Sequence, residues 1–308
     1  MSFDRKGIAL ILTLWVMALL SVLAMSFAFY THEENMSTRN FRDETTSYYA
    51  ALSAYEDVMR YLVTDKDLQV DLLDDKGNLI TDKERPSISG RKTINGIDVD
   101  VKLSDEESRL NINFLPPDTI KKVFLWAGAP EEDLTTISDS ILDWKSPNEL
   151  HRLNGAKSDY YMSLDPPYKA KDDLFSVPEE LMLVKGIKGD YLYRKNSGVP
   201  LISLLTTYGT GINVNTVSKG VLEMLGVNPL DIERLMIERR DFGGLRAIPP
   251  AVALAGASLT SSLHFRVEIS ARPAGQKEDA VKLTSIVQRL PNAGKGFRIK
   301  TLYWKESV

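Results

Sequence analysis

The most constraining feature of the sequence is an uninterrupted apolar run near its start. Residues 8–30 read IALILTLWVMALLSVLAMSFAFY and contain no charge, no proline and no glycine. A helix formed by this run is about 35 Å long, at 1.5 Å per residue, which is enough to cross a bilayer. The run therefore predicts a membrane-spanning helix, and the chain after it must fold on one side of that membrane.

The residues before the run predict its orientation. Arg5 and Lys6 precede it, and Gly7 stands directly before Ile8. Basic flanks remain on the cytoplasmic side, so the bulk of the chain is expected outside the cytoplasm. An ordinary signal peptide has a shorter apolar run followed by a small-residue cleavage site, whereas here the small residue comes first. A plain signal anchor stays open as the alternative.

The predicted helix continues beyond the membrane. Between Gly7 and Gly77 there is no glycine, and the first proline is Pro86, so nothing in this stretch breaks a helix. After the membrane segment, side chains of mainly apolar character recur at spacings typical of one helix face. They are Phe41, Thr45, Tyr48, Leu52, Tyr55, Met59 and Leu62. We predict one long helix that is apolar first and amphipathic afterwards.

Composition narrows the possible functions. The chain has 308 residues, 43% of them hydrophobic, which is enough to form hydrophobic cores. The charges of its 38 basic and 42 acidic residues nearly cancel, so the protein has no overall positive electrostatic potential that would favour a nucleic-acid partner. Without cysteine there are no disulfides or thiolate metal sites, and three histidines offer little for general-base chemistry. No phosphate-binding loop, nucleophile elbow or HExxH motif occurs, so we expect neither an enzyme nor a catalytic residue.

Several segments have the alternation of half-buried strands. Ile97, Val99, Val101 and Leu103 alternate with polar residues after an Asn-Gly turn signal. Residues 265–271 alternate again, residues 281–290 form an apolar run, and residues 297–304 form a final strand. Residues 65–91 are polar and predict a connecting loop. We expect one antiparallel sheet packed on the amphipathic half of the long helix.

The segment between the first and the later strands has helical spacing and a diverged internal repeat. Residues 109–113 read RLNIN and precede a helical run to Trp144. Residues 211–215 read GINVN and precede a helical run to Arg240. Each asparagine is a good candidate for a helix cap or a turn bond, so residues 105–256 predict an inserted α-helical domain.

A short basic leader ending in glycine, followed by an apolar half-helix fused to an amphipathic one, resembles the type IV pilins and the type II secretion pseudopilins. Most of these carry a glutamate where this chain has Leu12, and the minor pseudopilin K family of the type II secretion system resembles the chain in lacking it. The inserted segment is similar to that family over ILDW (141–144), LNGA (153–156), DYYMSLDPPY (159–168) and VPEELMLVKGI (177–187).

The resemblance implies an α+β fold: a pilin-like long N-terminal helix packed on a small antiparallel sheet, with a large inserted all-α domain of two sterile-alpha-motif-like units. The implied division is a prepilin leader (1–7), the transmembrane half of the helix (8–30), the pilin-like helix, loop and first strand (31–104), the inserted domain (105–256) and the C-terminal strands (257–308). It also implies cleavage after Gly7 by a prepilin peptidase, leaving a methylated Ile8.

The function implied is that of a minor pseudopilin at the pseudopilus tip. It would initiate or cap assembly with other minor pseudopilins and support export of folded proteins across the outer membrane. Its further partners would be the inner-membrane secretion platform and the prepilin peptidase, with a single membrane pass, the bulk in the periplasm and no nucleic acid. The alternatives are a signal-anchored periplasmic binding protein or hydrolase, and a minor pilin of a type IV pilus or competence system.

An oxygen-rich loop runs from Asp143 to Asp173. Calcium prefers six to eight oxygen ligands, and the resemblance implies that calcium stabilises this loop. The candidate metal ligands are Asp143, Asn148 and Asp159. Ser146, Lys157 and Ser158 stand where the family usually has acidic residues, which is a departure from its pattern. The alternative, solvated loop residues and helix caps, therefore stays open.

Residues 183–189, LVKGIKG, resemble a helix-hairpin-helix turn, in which glycines let main-chain amides approach a DNA phosphate. Glu179, Glu180 and Asp190 flank this turn and oppose binding to a polyanion. We therefore predict a compact turn between helices.

Overall fold

The computed structural model describes residues 5–65, 69–74, 77–81, 85–196, 198–291 and 296–307, without the side chains of residues 5–8, 195 and 196. The α-helices are α1 (Arg5–Val63), α2 (Pro117–Trp126), α3 (Glu131–Lys145), α4 (Ser158–Met162), α5 (Gly189–Tyr193), α6 (Lys219–Met224), α7 (Pro229–Phe242) and α8 (Pro250–Ala253). Short 3-10 helices are Glu106–Ser108, Pro178–Leu183 and Leu201–Leu204.

The strands are β1 (Leu72–Leu73), β2 (Leu79–Ile80), β3 (Gly90–Ile94), β4 (Ile97–Asp105), β5 (Leu110–Asn111), β6 (Lys195–Asn196), β7 (Val199–Pro200), β8 (Leu205–Thr206), β9 (Ile212–Asn213), β10 (Ala257–Leu259), β11 (His264–Pro273), β12 (Val281–Pro291) and β13 (Phe297–Ser307). The fold is therefore α+β, as predicted.

Helix α1 is a single 59-residue rod, so the predicted long helix is confirmed. Its C-terminal half packs on the sheet, and the buried face includes Tyr55 and Leu62 of the predicted stripe but is centred on other residues. Phe41 is 70% exposed, whereas Ala51, Ala54 and Val58 are fully buried. Tyr48, Leu52 and Met59 flank this face and are partly buried. Small side chains lie at the centre of this buried face because they let the helix axis approach the sheet closely. A search for large apolar residues at helical spacing does not detect such positions.

The main sheet has five antiparallel strands in the order β13-β12-β11-β4-β3. Its centre is β11, which pairs with β4 on one side and β12 on the other. In β4 every second residue is buried, from Ile97 to Asp105, as its alternation predicts. Tyr55 of α1 meets the ring of Trp304 edge-on at 5.0 Å between centroids, and so helps to dock the helix on the far edge of the sheet.

Strand β3 lies partly in the stretch that we predicted to be a loop, and that prediction was wrong from Gly90 onward. Residues 90–94 carry largely exposed or half-buried side chains because β3 is an edge strand. The pairing Ile94 with Ile97 closes a two-residue turn at Asn95 and Gly96, both with positive φ. That combination is typical of a hairpin turn, so the Asn-Gly signal pointed to a strand on each side. The short strands β1 and β2 also fall in the predicted loop.

The inserted segment contains two helical hairpins, α2–α3 and α6–α7. After α2, Gly128 adopts φ 88° and the Ala129 amide donates to the Phe124 carbonyl at 2.9 Å. After α6, Gly226 adopts φ 81° and the Val227 amide donates to the Leu222 carbonyl at 3.0 Å. The two hairpins therefore end their first helix with the same left-handed glycine motif. The likeness of these units to sterile alpha motifs stays a prediction.

Two hydrophobic cores are present among the described residues. One is built from residues 110–257 and includes Phe124, Ile141 and Tyr161. The other joins residues 50–103 to residues 265–287, so α1 and the strands of the main sheet share it. The inserted segment thus buries its apolar side chains in a core of its own.

Candidate assembly surface and polar loop

The N-terminal half of α1 has no packing partner among the described residues of the chain. All side chains from Ala9 to Tyr30 are exposed, including Leu12 at 66% and Trp15 at 73%. The helix is long and apolar enough to cross a membrane, and its most apolar stretch has a mean hydropathy of 2.4. Burying one large apolar side chain is worth about 2 kcal/mol. Contact with lipid or with apolar faces of other helices would therefore stabilise such a surface.

Three hydroxyl side chains of this half-helix bond to its own main chain. Thr13 and Ser21 each donate a hydroxyl hydrogen bond at 2.8 Å, to the carbonyls of Leu10 and Met17. Thr31 donates to the Phe27 carbonyl at 2.9 Å. Polar groups satisfied within the helix are compatible with an apolar surrounding. The half-helix therefore presents a continuous apolar surface.

The predicted processing site lies at the start of α1. The helix begins at Arg5, so the main chain of Gly7 and Ile8 is helical. The side chain of Ile8 and residues 1–4 lie outside the described part of the chain. Cleavage after Gly7 stays a prediction.

A buried arginine ties the end of α1 to the sheet. Arg289 is 1% exposed and donates hydrogen bonds to the carboxylates of Asp65, just after α1, and Asp71. It also donates to the Ser262 carbonyl at 2.8 Å and lies over the ring of Phe265. Burial raises the pKa of Asp71 to about 8, against the lowering effects of Arg289 and the Ser262 amide. The guanidinium group of Arg289 thus links the chain segments that contain Asp65, Asp71 and Ser262.

Three consecutive buried acidic residues join β4 to the inserted segment. Asp105 accepts hydrogen bonds from the Glu107 amide at 2.7 Å and the Ser262 hydroxyl at 2.6 Å, and also from Thr216. Burial raises the pKa of Asp105 to about 6, although these hydroxyl donors oppose the shift. Asn213 donates to the same carboxylate at 3.2 Å. Asp105 therefore contacts both the second helical repeat and the segment leading into β11.

The next two carboxylates have partners of their own. Glu106 pairs with Arg109 at 2.7 Å and with Arg266 at 2.5 Å. Burial acts to raise the pKa of Glu106, but the two guanidinium groups outweigh it and hold that pKa below its usual value. Glu107 accepts from the Leu263 amide at 2.7 Å and lies 3.0 Å from the ring of His264. Residues 105–107 thus fix the inserted segment on the sheet.

The sequence pattern does not distinguish this junction from a solvated turn. Asp105, Glu106 and Glu107 follow one another after a strand, which is also the pattern of a solvated turn. Arg289 is easier to recognise from the sequence as a buried charge, because it continues the inward alternation of Val281, Leu283 and Val287. A charged residue at an inward position of a strand predicts a buried ion pair.

The three candidate metal ligands do not come together. Asp143 is buried at the end of α3, and its carboxylate accepts from the Arg152 amide at 2.8 Å and the Arg152 guanidinium at 2.6 Å. Asn148 and Asp159 are exposed and line one polar recess of about 370 Å³, which Asp143 does not reach. Within the described ranges, no cluster of three acidic or histidine side chains is placed to hold a metal ion. The calcium site stays a prediction.

Aromatic side chains below the same loop form part of the core. The ring of Trp144 meets Tyr161 edge-on at 5.1 Å, and Tyr161 is fully buried. Burial raises the pKa of Tyr161 to about 12, while the Lys185 amide, which donates to the hydroxyl at 3.2 Å, opposes the shift. Tyr168 donates its hydroxyl to the Leu183 carbonyl at 2.8 Å. These tyrosines therefore anchor the turn of residues 183–189, whose Gly186 packs against Ile137 of α3.

Comparisons with known proteins agree with this architecture. The family model described as type II secretion system (T2SS), protein K, matches residues 108–199. Type II secretion system protein K of Klebsiella pneumoniae is 22% identical over 286 residues, covering 89% of this chain and 85% of the relative. The same protein of Pectobacterium carotovorum subsp. carotovorum is 22% identical over 230 residues, covering 70% of this chain and 67% of the relative. Over these residues this chain is similar to the type II secretion system protein K family.

A solved structure has the same fold. The crystal structure of the GspK-GspI-GspJ complex from the type II secretion system of enterotoxigenic Escherichia coli contains a chain that superposes with a TM-score of 0.64. The match covers 88% of this chain and 99% of that one, at 15% identity. The protein K family match over residues 108–199 includes both Asn113 and the whole loop of residues 143–173. The α1 rod and the main sheet lie outside that match.

Proposed function

We propose that the chain is a minor pseudopilin of a type II secretion system. The observation that carries this is helix α1, whose one half is fixed on the sheet while the other half exposes apolar side chains all round. The half-helix would hold the subunit in the inner membrane, with the sheet and the inserted domain in the periplasm. During assembly, apolar helices of other subunits would take the place of lipid around it.

We further propose that the chain assembles with the I and J minor pseudopilins at the tip of the pseudopilus. The solved complex with the same fold contains GspK together with GspI and GspJ. The inserted segment, residues 105–256, would obstruct another subunit stacking above it. Leu12 supports the tip position, since a subunit with no neighbour above needs no carboxylate to pair with that neighbour's terminal amine. A complex at the tip would start or cap the filament that supports export of folded proteins.

The remaining partners follow from this assignment. A prepilin peptidase would cut after Gly7 and leave Ile8 as a methylated N-terminus, and the inner-membrane platform would receive the subunit. The role proposed is structural rather than enzymatic. It depends on the apolar helix surface and the shape of the folded part, and no side chain is assigned to chemistry.

Co-purification tests the proposed assembly. The full chain, carrying a C-terminal tag, is expressed with the I and J pseudopilins of the same bacterium and extracted from membranes in mild detergent. We expect all three proteins in one complex of fixed stoichiometry. A tag-bearing membrane protein with an unrelated single-pass helix is the matched control. Recovery of this chain alone, while I and J still bind each other, would contradict the proposal.

A further inference from the structure

A buried lysine closes the polar loop, which we define as residues 146–172. Lys157 is only 5% exposed, and its ammonium group donates to Asp172 Oδ1 at 2.6 Å and to the Ser146 carbonyl. We propose that this ammonium group, in place of a bound divalent cation, holds the loop in its folded form.

The two groups that Lys157 joins stand at the two ends of the loop. Ser146 caps α3, and its amide donates to the Asp143 carbonyl at 3.2 Å. Asp172 adopts a left-handed conformation with φ 55°, and its amide donates to the Trp144 carbonyl at 2.9 Å. One ammonium group in the middle of the loop therefore bonds to both ends.

The oxygen atoms of this region do not fit calcium. A calcium ion needs six to eight oxygens at about 2.3–2.6 Å. The nitrogen of Lys157 already lies 2.6 Å from Asp172 Oδ1, so a cation bound to this oxygen would lie against an ammonium group. Lys169 lines the same recess and adds a second positive charge. Two ammonium groups beside Asp159 and Asp172 disfavour entry of a divalent cation.

The remaining candidate oxygens are occupied or dispersed. Both carboxylate oxygens of Asp143 accept hydrogen bonds from Arg152. A Cβ atom on Gly155 would lie 1.8 Å from Asp143 Oδ2, so the main chain presses directly on this carboxylate. Asn148 and Asp159 are exposed. The loop therefore has two internal cations, Arg152 near its start and Lys157 at its centre, where a metal-dependent loop would need a free cluster of oxygens.

Removing the ammonium group leaves the two ends of the loop without their shared donor. A methionine at position 157 matches the length of lysine but cannot donate to Asp172 or to the Ser146 carbonyl. The Asp172 side chain is 47% exposed, so the cost comes from losing the two hydrogen bonds by which one charged donor joins the ends of the loop. Loss of Lys157 should therefore open the loop locally, while α2 and the core around Phe124, which it does not contact, stay folded.

Hydrogen exchange followed by mass spectrometry tests the proposal on the full chain in detergent micelles. Amide exchange of residues 146–172 is measured for the wild type in excess chelator and in millimolar calcium. We expect the same protection in both. In Lys157→Met, exchange of these amides should rise about tenfold or more in both conditions, since tenfold corresponds to about 1.4 kcal/mol of local stability. Lys169→Met, an exposed lysine of the same recess, should match the wild type.

Two results would overturn the proposal. One is a wild-type loop that gains about tenfold protection on adding calcium, and the other is a Lys157→Met loop that exchanges like the wild type. The comparison of chelator with calcium needs no variant, so it decides the matter even if Lys157→Met does not fold. Calorimetric titration of the wild type with calcium gives an independent reading, for which we expect no binding heat.

Discussion

The side chain of Asn113 is bonded to both main-chain groups of Phe175. The Asn113 amide group donates to the Phe175 carbonyl at 3.0 Å, and the Phe175 amide donates to the Asn113 carbonyl oxygen at 2.8 Å. Asn215 forms the same pair of bonds with Leu245, at 2.8 Å and 2.7 Å. In each repeat, the equivalent asparagine therefore clamps the start of a helical hairpin to a later segment of the chain through the same pair of bonds.

Replacing Asn113 by alanine should destabilise the inserted segment. Two buried main-chain groups of Phe175 would lose their partner, which costs about 1–3 kcal/mol for each group left unsatisfied. We expect Asn113→Ala to lower the free energy of unfolding by about 2–6 kcal/mol, measured by urea unfolding of the full chain in micelles with tryptophan fluorescence. Asn154→Ala, at an exposed loop position, is the control and should change it little. Equal stability of the two variants would contradict the clamp.

The buried ion pairs of Arg289 lead to a second prediction. Arg289→Met keeps most of the apolar contact with Phe265 but leaves the buried carboxylates of Asp65 and Asp71 without the guanidinium. Removing one partner of a buried pair costs about 3–5 kcal/mol. Arg91→Met, which breaks the exposed pair with Asp100, should cost less than about 1 kcal/mol. Comparable losses in the two variants would show that the Arg289 cluster is not buried as described.

The pH dependence of stability should reveal Asp71. Burial raises its pKa to about 8 in the native state, whereas aspartate in an unfolded chain titrates near 4. Between these values the native state holds a proton that the unfolded state has lost. The contribution of this group to stability is therefore complete below about pH 4 and is lost as the pH rises to about 8, by at most about 1.4 kcal/mol per pH unit.

Asp71→Asn provides the matched test. An asparagine keeps an oxygen to accept from the Ser262 amide but does not titrate. We expect the variant to lose less stability than the wild type when unfolding is compared at pH 6 and at pH 8. Parallel curves for the two proteins would mean that Asp71 is charged throughout this range.

The hydrophobic periodicity of the sequence and its lack of helix breakers predicted the most regular strands and the long helix. Strand β4 and strand β11 alternate strictly, and α1 has no glycine or proline after Gly7, so these three were predictable from sequence. Strand β3 was missed because an edge strand has no buried face to impose alternation. The apolar stripe on α1 gave only part of the buried face, because tight packing also selects small residues such as Ala54, which a search for large apolar side chains overlooks.

The polar contacts were less predictable than the elements. Asn113 and Asn215 were expected to form turn bonds, and the repeat gave that signal, but their bonds to Phe175 and Leu245 depend on tertiary contacts. The sequence predicts Asp143 as a metal ligand because a carboxylate near other oxygen-bearing residues gives the same pattern whether it faces a cation or an arginine. Its partner Arg152 lies nine residues on, and only the folded loop shows that the two meet.

The most direct test of the central claim is the intact mass of the full chain purified from membranes of cells with and without the prepilin peptidase. If α1 is a pseudopilin helix, the peptidase should remove residues 1–7 and leave an N-terminal Ile8 that carries a methyl group, while cells lacking the peptidase should yield the uncut chain. A Gly7→Val variant should remain uncut in both. A wild-type chain of unchanged mass in the presence of an active peptidase would contradict the account.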